Sequence, residues 1–357
     1  MIRLPVSIGE ALDKLTILDI KLQKIQDPIK HSYCQTEYDL LRTELEPYLK
    51  KHAFPYARLR DVNLQIWEMQ DEIRARPDPQ KCVDILDKND MRFRLKDGIN
   101  KTSESVVREQ KGYPPRRALF LGHIGLGDQI GLIGAVRYLA MQYDELILVC
   151  ASWNLESVSS FYSDCPSVKL WPVQQPYIVH PTDTSCGEIV PIDPEQFTRV
   201  YRSGFYLFPR SHNFEDLPKC FYRDLELDPG IRHTHFHVPT TKHARGLYSW
   251  LSNRSYIFVQ QKSSSDTTPI ITWDIDKVLT VDPNLNPYPP AHMWHPLAEM
   301  FVNQPFLSYK LILENAAEIH VVDSAFYCLA CYLPLKATVK RCYARETGAF
   351  ISTYDFT

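Results

Sequence analysis

Ala118-Leu119-Phe120-Leu121-Gly122-His123-Ile124-Gly125-Leu126-Gly127-Asp128-Gln129 decides the fold. An apolar run ends in a glycine-rich turn and passes directly into a second apolar segment. That sequence predicts a buried strand over Ala118–His123, a tight turn, and a helix over 128–142. Glycines in such a turn let a ligand approach the backbone, and the helix start offers free N–H groups. The spacing of Gly122, Gly125 and Gly127 does not match the dinucleotide fingerprint, and no acidic residue clearly closes the next strand. Asp128 has two readings: a cap for the helix, or a carboxylate that acts as a general base.

Downstream, the strand–helix alternation continues. Strands are expected at Glu145–Ala151 and Val168–Val173, with a helix over 154–163 between them. A second series is expected from Tyr256–Gln260, with helices over 308–317 and 324–333 and strands at Glu318–Val322 and Ala337–Tyr343. The fold class is therefore α/β, with two doubly wound halves at 112–240 and 241–357 and ligands at the strand C-termini.

Upstream, residues 1–111 read as all-α. Ser7 and Glu10 fit a capping box, and Ile8, Leu12, Leu15, Leu18, Leu22 and Ile25 share one helical face. Asp27-Pro28 is expected to end that helix, with a second over 34–50. Leu59, Val62, Ile66, Met69 and Ile73 mark a third, and a fourth should run from Pro79 towards Glu109 with a break at Gly98. No residues there form a reaction centre, so an assembly surface or acceptor-side platform is expected. Gly112-Tyr113-Pro114-Pro115 makes the linker.

Composition narrows the function. Forty Lys and Arg against forty-three Asp and Glu give a net charge of −3, which supplies no global field for nucleic acid. Nine scattered cysteines suggest reduced thiols in a cytoplasmic protein. No stretch has the length of a transmembrane helix. No nucleophile elbow and no Walker-type lysine loop are present, which removes the hydrolase and P-loop readings.

Two further segments carry candidate chemistry. At Glu318-Ile319-His320-Val321-Val322-Asp323-Ser324-Ala325 an apolar strand runs through Asp-Ser into a helix. Asp323 and Ser324 are either caps or, with Ala325, a phosphate cradle. The preceding helix brings Glu314, a candidate for a ribose diol. Gln260-Gln261-Lys262-Ser263-Ser264-Ser265-Asp266 follows another buried strand, where Lys262 would neutralise a diphosphate and the hydroxyls add hydrogen bonds. His233, His235 and His237 alternate along an expected strand, but no fourth metal ligand is positioned, so no metal site is assigned. Cys328 and Cys331 are read as buried thiols of an apolar helix.

On Gly125-Leu126-Gly127-Asp128-Gln129, and on Tyr309-Lys310-Leu311-Ile312-Leu313-Glu314-Asn315-Ala316 leading into Ile319-His320-Val321-Val322-Asp323-Ser324, the chain resembles GT-B glycosyltransferases. The nearest types are the heptosyltransferases and the O-fucosyltransferase-like enzymes. Residues 6–90 resemble a helical domain of unassigned function that accompanies sugar-polymer genes of bacteria and large viruses. The resemblance implies two Rossmann-like halves and transfer of a sugar from a UDP- or GDP-linked donor to a glycan, without a cofactor or metal. It implies inversion with Asp128 as base. Gly125, Gly127, Gln129, Gln261, Lys262, Ser263, Glu314, Asp323, Ser324 and Ala325 would lie at the donor. Lys262 stands where fucosyltransferases favour arginine, and lysine is a point charge, not a bidentate fork. The other expectation is a non-catalytic nucleotide-sugar or glycan-binding protein that self-associates through its helices.

Overall fold

The computed structural model describes residues 4–174, 196–204, 217–263, 268–270, 273–345 and 350–351. Four long helices come first: α1 (Ile8–Lys24), α2 (Pro28–Lys51), α3 (Ala53–Ala75) and α4 (Pro79–Thr102). The starts of α1, α2 and α4 follow from side-chain caps, which α3 lacks. The Ser7 hydroxyl accepts from the Glu10 N–H at 3.2 Å, while the Glu10 carboxylate pairs with Lys96 at 2.5 Å. Asp27 and Asp78 each accept two N–H groups, with Pro28 and Pro79 in the first turn. Asp27-Pro28 thus begins α2, correcting the expectation that α2 starts at residue 34. α4 passes through Gly98 unbroken and stops at Thr102, short of Glu109; Glu104 then takes a left-handed φ of 54°.

Leu12, Leu15, Leu45, Leu59 and Ile99 form the core of the bundle. A second cluster, Val62, Ile66 and Met91, closes on Met141 of the α/β part. Arg94 of α4 reaches Asp144 at 3.1 Å. Nearby, the buried Arg137 binds Asp164 at 2.6 Å and the Phe161 carbonyl at 2.7 Å. Its guanidinium lies against the rings of Phe54 in α3 and Tyr162. The helices therefore have their own core and are also docked on the α/β part through charge and apolar contact.

The first sheet comprises β1 (Arg117–Leu121), β2 (Glu145–Ala151), β3 (Val168–Val173) and β4 (Arg199–Arg202), in the order β3-β2-β1-β4 and all parallel. The helix expected over 128–142 is two pieces, α5 (Leu126–Gly131) and α6 (Ile133–Ala140), which meet at Leu132. The second sheet comprises β5 (Tyr256–Gln260), β6 (Leu279–Val281), β7 (Glu318–Val322), β8 (Val339–Tyr343) and β9 (Phe350–Ile351). Its order is β6-β5-β7-β8-β9, parallel except for β9. Phe120, Ile133, Leu148 and Phe161 belong to the same continuous apolar cluster as Phe258, Leu313, Ile319 and Leu329, so the sheets share one core. Among the described residues no helix is long and apolar enough to cross a membrane.

The strand expected around His233 is instead a short helix, Ile231–Thr234. Asp228 accepts from the Gly230 N–H at 2.8 Å and starts that turn. The three histidines therefore diverge. His237 stacks on Phe54 and pairs with Asp164, His235 meets the edge of Tyr138, and His233 lies against Tyr332. Among the described residues no group of three potential ligands is placed to hold a metal.

Candidate functional site

In each sheet the chain winds first to one side and then crosses to the other. In the first, β2 and β3 lie on one flank of β1 and β4 on the other. In the second, β6 lies on one flank of β5 and β7 on the other. Such switch points leave a crevice at the strand C-termini. The glycine-rich turn follows β1, Gln260–Ser263 follows β5, and Asp323–Ala325 follows β7, so all three turns sit at switch points.

The turns of the two sheets meet. A Cβ on Gly127 would stand 3.0 Å from the Cys328 sulfur and 3.9 Å from the Ala325 Cα. Only a residue without a side chain lets α5 lie this close to the helix Ala325–Ala330. Cys328 is thereby desolvated, and its thiol pKa is raised well above the usual range by burial and by nearby charge, Asp128 and Asp323 included.

Asp128 sits in the first turn of α5. Its carboxylate folds back over Gly125, where a Cβ would be 2.8 Å from an Asp128 oxygen. Its other neighbour is His123, whose Nδ1 is 3.7 Å from Oδ2. Nε2 of His123 is 3.1 Å from the Gly204 carbonyl, and the ring meets Phe221 edge-on. Burial disfavours the His123 cation. Asp128, the Gly204 carbonyl and Asp224 outweigh that penalty, and the pKa of His123 ends above its ordinary value. Gly204 has a φ of 88°, and its N–H donates to Asp224 at 2.8 Å.

Gln129 is fully buried. Its Nε2 donates to the His123 carbonyl at 2.7 Å and lies 3.4 Å from that of Val149, bracing the turn from within. Gln261 is similarly committed. It accepts from the Ile270 N–H at 3.1 Å and reaches Asp282 at 3.3 Å. Burial pushes the Asp282 carboxyl up to about 6.

On the second-sheet side, the Ser324 hydroxyl donates to Gln260 Oε1 at 2.8 Å and does not cap its helix. Gln260 Nε2 donates to the Lys262 carbonyl, so one buried amide joins the β5 and β7 turns. The Lys262 side chain is exposed and Ser263 half-buried; Ser264, Ser265 and Asp266 lie outside the described residues. The Glu314 carboxylate pairs with Lys310 at 2.7 Å, both side chains 13% exposed.

Sequence reasoning assigned no role to His123, although it lies inside the glycine-rich segment. It also missed Gly204, Asp224 and Arg345. Arg345, exposed beyond β8, donates through Nε to the Asp323 carbonyl and adds a cation beside the Asp-Ser turn. Nothing local in the sequence marks that arginine, because the parallel sheet alone brings it there.

No family profile matches the chain, and no curated protein is significantly similar to it. Two solved structures overlap it in part. One is the iron-containing dodecameric glycosyltransferase TibC from enterotoxigenic E. coli H10407, at 14% identity over 70% of this chain and 66% of that one, with a TM-score of 0.37. The other is the dodecameric iron-containing heptosyltransferase TibC in complex with ADP-D-beta-D-heptose, at 14% identity over 70% and 67%, with a TM-score of 0.36. The chain spans about two thirds of their length, and an overlap this loose does not establish a shared fold.

Proposed function

We propose that the chain is a nucleotide-sugar-dependent glycosyltransferase of GT-B type. Two Rossmann-like halves, 112–240 and 241–357, would follow the helical segment 1–111. The supporting observation is the meeting of switch-point turns from two parallel sheets at Gly127 and Ala325, with the His123–Asp128 pair beside the contact.

In this reading Asp128 takes the proton from an acceptor hydroxyl of a glycan. The acceptor oxygen then bonds to the anomeric carbon as the bond to the diphosphate breaks. The nucleoside diphosphate leaves with that electron pair, and the anomeric configuration inverts. His123 acts as a positioning residue that holds one carboxylate oxygen. The exposed cations Lys262 and Arg345 attract the UDP- or GDP-linked donor, while Ser263, Asp323, Ser324 and Ala325 border its diphosphate. Gly125 and Gly127 border the donor through their backbone, their side-chain directions being taken by Asp128 and Cys328. Gln129 and Gln261 brace this surface from inside. Residues 1–111 serve as an assembly or acceptor-side module.

The test is a panel of UDP- and GDP-sugars with and without glycan acceptors. Free nucleotide that appears only with an acceptor supports transfer. Tight donor binding without turnover on any acceptor would leave a nucleotide-sugar-binding protein, and no binding at all would defeat both readings. Binding should show first as thermal stabilisation, worth about 2.7 kcal/mol at a hundredfold excess over Kd.

A further inference from the structure

α2 is 24 residues long, yet Leu45 is its sole buried residue. Its inward face, Tyr38, Leu41, Leu45, Tyr48 and Leu49, joins the bundle core. The opposite face carries Ile29, Tyr33 and Leu40, which are 69%, 74% and 57% exposed, with exposed Thr36 between them. At about 100° per residue these four positions fall within an arc of about 60°. A 24-residue helix with three large apolar side chains aligned in water is an unfilled contact surface.

The spacing says what fills it. Steps of four, three and four residues read the same from either end. A second copy of α2 laid antiparallel about a two-fold axis therefore brings Ile29 to the partner's Leu40 and Tyr33 to the partner's Thr36. Such an arrangement uses one patch twice and closes on itself. Charge agrees with this orientation. Lys30 and Glu37 are exposed one heptad apart on a single flank of the stripe. In an antiparallel pair each flank meets its own reverse, which sets Lys30 beside the partner's Glu37 and repeats the pair by symmetry. Within one copy Glu37 also holds Lys14 at 2.5 Å, but both side chains stay about half exposed and accessible. Glu37, Asp39 and Glu44 disfavour an anionic membrane as the occupant of this face.

We infer that α2 is a self-association surface, on which a second copy of this chain packs antiparallel along Ile29, Tyr33, Thr36 and Leu40. This does not depend on the glycosyltransferase reading. One helix pair is a small interface, so the dimer should be concentration-dependent, with a Kd of order micromolar.

Sedimentation equilibrium of the full chain tests it. The native protein should show a monomer–dimer equilibrium. Tyr33→Glu with Leu40→Glu should remain monomeric with unchanged helical circular dichroism, because both side chains are exposed. Lys30→Glu should weaken the dimer about three- to tenfold through its two symmetry-related pairs. Adding Glu37→Lys to Lys30→Glu should restore it, since the flank then pairs in the opposite sense. A native chain that stays monomeric at about 100 μM, far above a micromolar Kd, overturns the inference. So does a dimer that survives the Tyr33/Leu40 substitutions, or a charge swap that fails to restore association.

Discussion

His123 Nδ1 stands 3.7 Å from Asp128 Oδ2 while its Nε2 faces the Gly204 carbonyl at 3.1 Å. Both nitrogens thus face groups that only accept. A neutral imidazole can donate to one of them; the imidazolium can donate to both. With a folded pKa above the unfolded value of about 6.5, protonation of His123 stabilises the fold. That contribution is complete below about pH 6.5 and is lost as pH rises through the raised folded pKa. An NMR titration should place the His123 transition above 6.5, and Asp128→Asn should lower it. A native transition at or below the ordinary value would show that the carboxylate does not outweigh burial.

Asp128→Asn should cost about 10²–10⁴-fold in turnover while donor binding persists, because a general base acts in the transition state. Calorimetry with the donor and an assay of nucleotide release read the two effects separately. Full activity in this variant would remove Asp128 from the chemistry. His123→Gln keeps a hydrogen-bond donor, and its loss should be smaller than that of Asp128→Asn.

Gly127 packs directly against Cys328 and Ala325 of the other turn. Gly127→Val would drive its side chain into Cys328 and Ala325, and overpacking of that kind costs about 1–3 kcal/mol. Chemical denaturation should show this loss. Cys328→Ala in the same chain should recover part of it by making room. Additive losses in the double variant would mean that the two sites do not share one packing constraint.

Arg137 and Asp164 pair within the first sheet unit, where Arg137 also lies against Phe54 of α3. Burial alone would raise the Asp164 carboxyl, but Arg137 and His237 hold it well below the ordinary carboxylate range. Its stabilising contribution is therefore full above about pH 4 and is lost as pH falls through the depressed folded pKa. Asp164→Asn strands a buried guanidinium and should cost about 3–5 kcal/mol, read from urea unfolding. Replacing both members by Arg137→Met and Asp164→Leu should cost less than Asp164→Asn alone.

The strands β2, β3, β5 and β7 have the bounds expected from the sequence; β2, β5 and β7 are short, largely apolar runs buried on both faces, whereas β3 is an edge strand with Lys169 and Pro172 exposed. β4 was not legible: Arg199-Val200-Tyr201-Arg202 is four residues with charged ends, paired along one side only. Asp27-Pro28 misled because the same dipeptide can stop one helix and start the next, and only the hydrogen bonds from Ile29 and Lys30 decide between them. At the candidate site the turns were visible as turns, but the partners of their side chains were not. Ser324 carries the chemistry of a cap, yet its bond goes to Gln260, 64 residues away and chosen by tertiary placement, while Glu314 pairs with Lys310 one turn earlier in its own helix.

The order β3-β2-β1-β4 also has a consequence for synthesis. β1 reaches its second neighbour only when Arg199–Arg202 has been translated, long after β2 and β3 are available. At ~5–20 residues per second the nascent chain spends several seconds with one side of Ala118-Leu119-Phe120-Leu121 unpaired. An apolar edge of that kind is a template for pairing with a neighbouring chain. Slow elongation between residues 122 and 199, or crowding of ribosomes on one message, should therefore lower the yield of folded protein, whereas delays after residue 202 should be better tolerated.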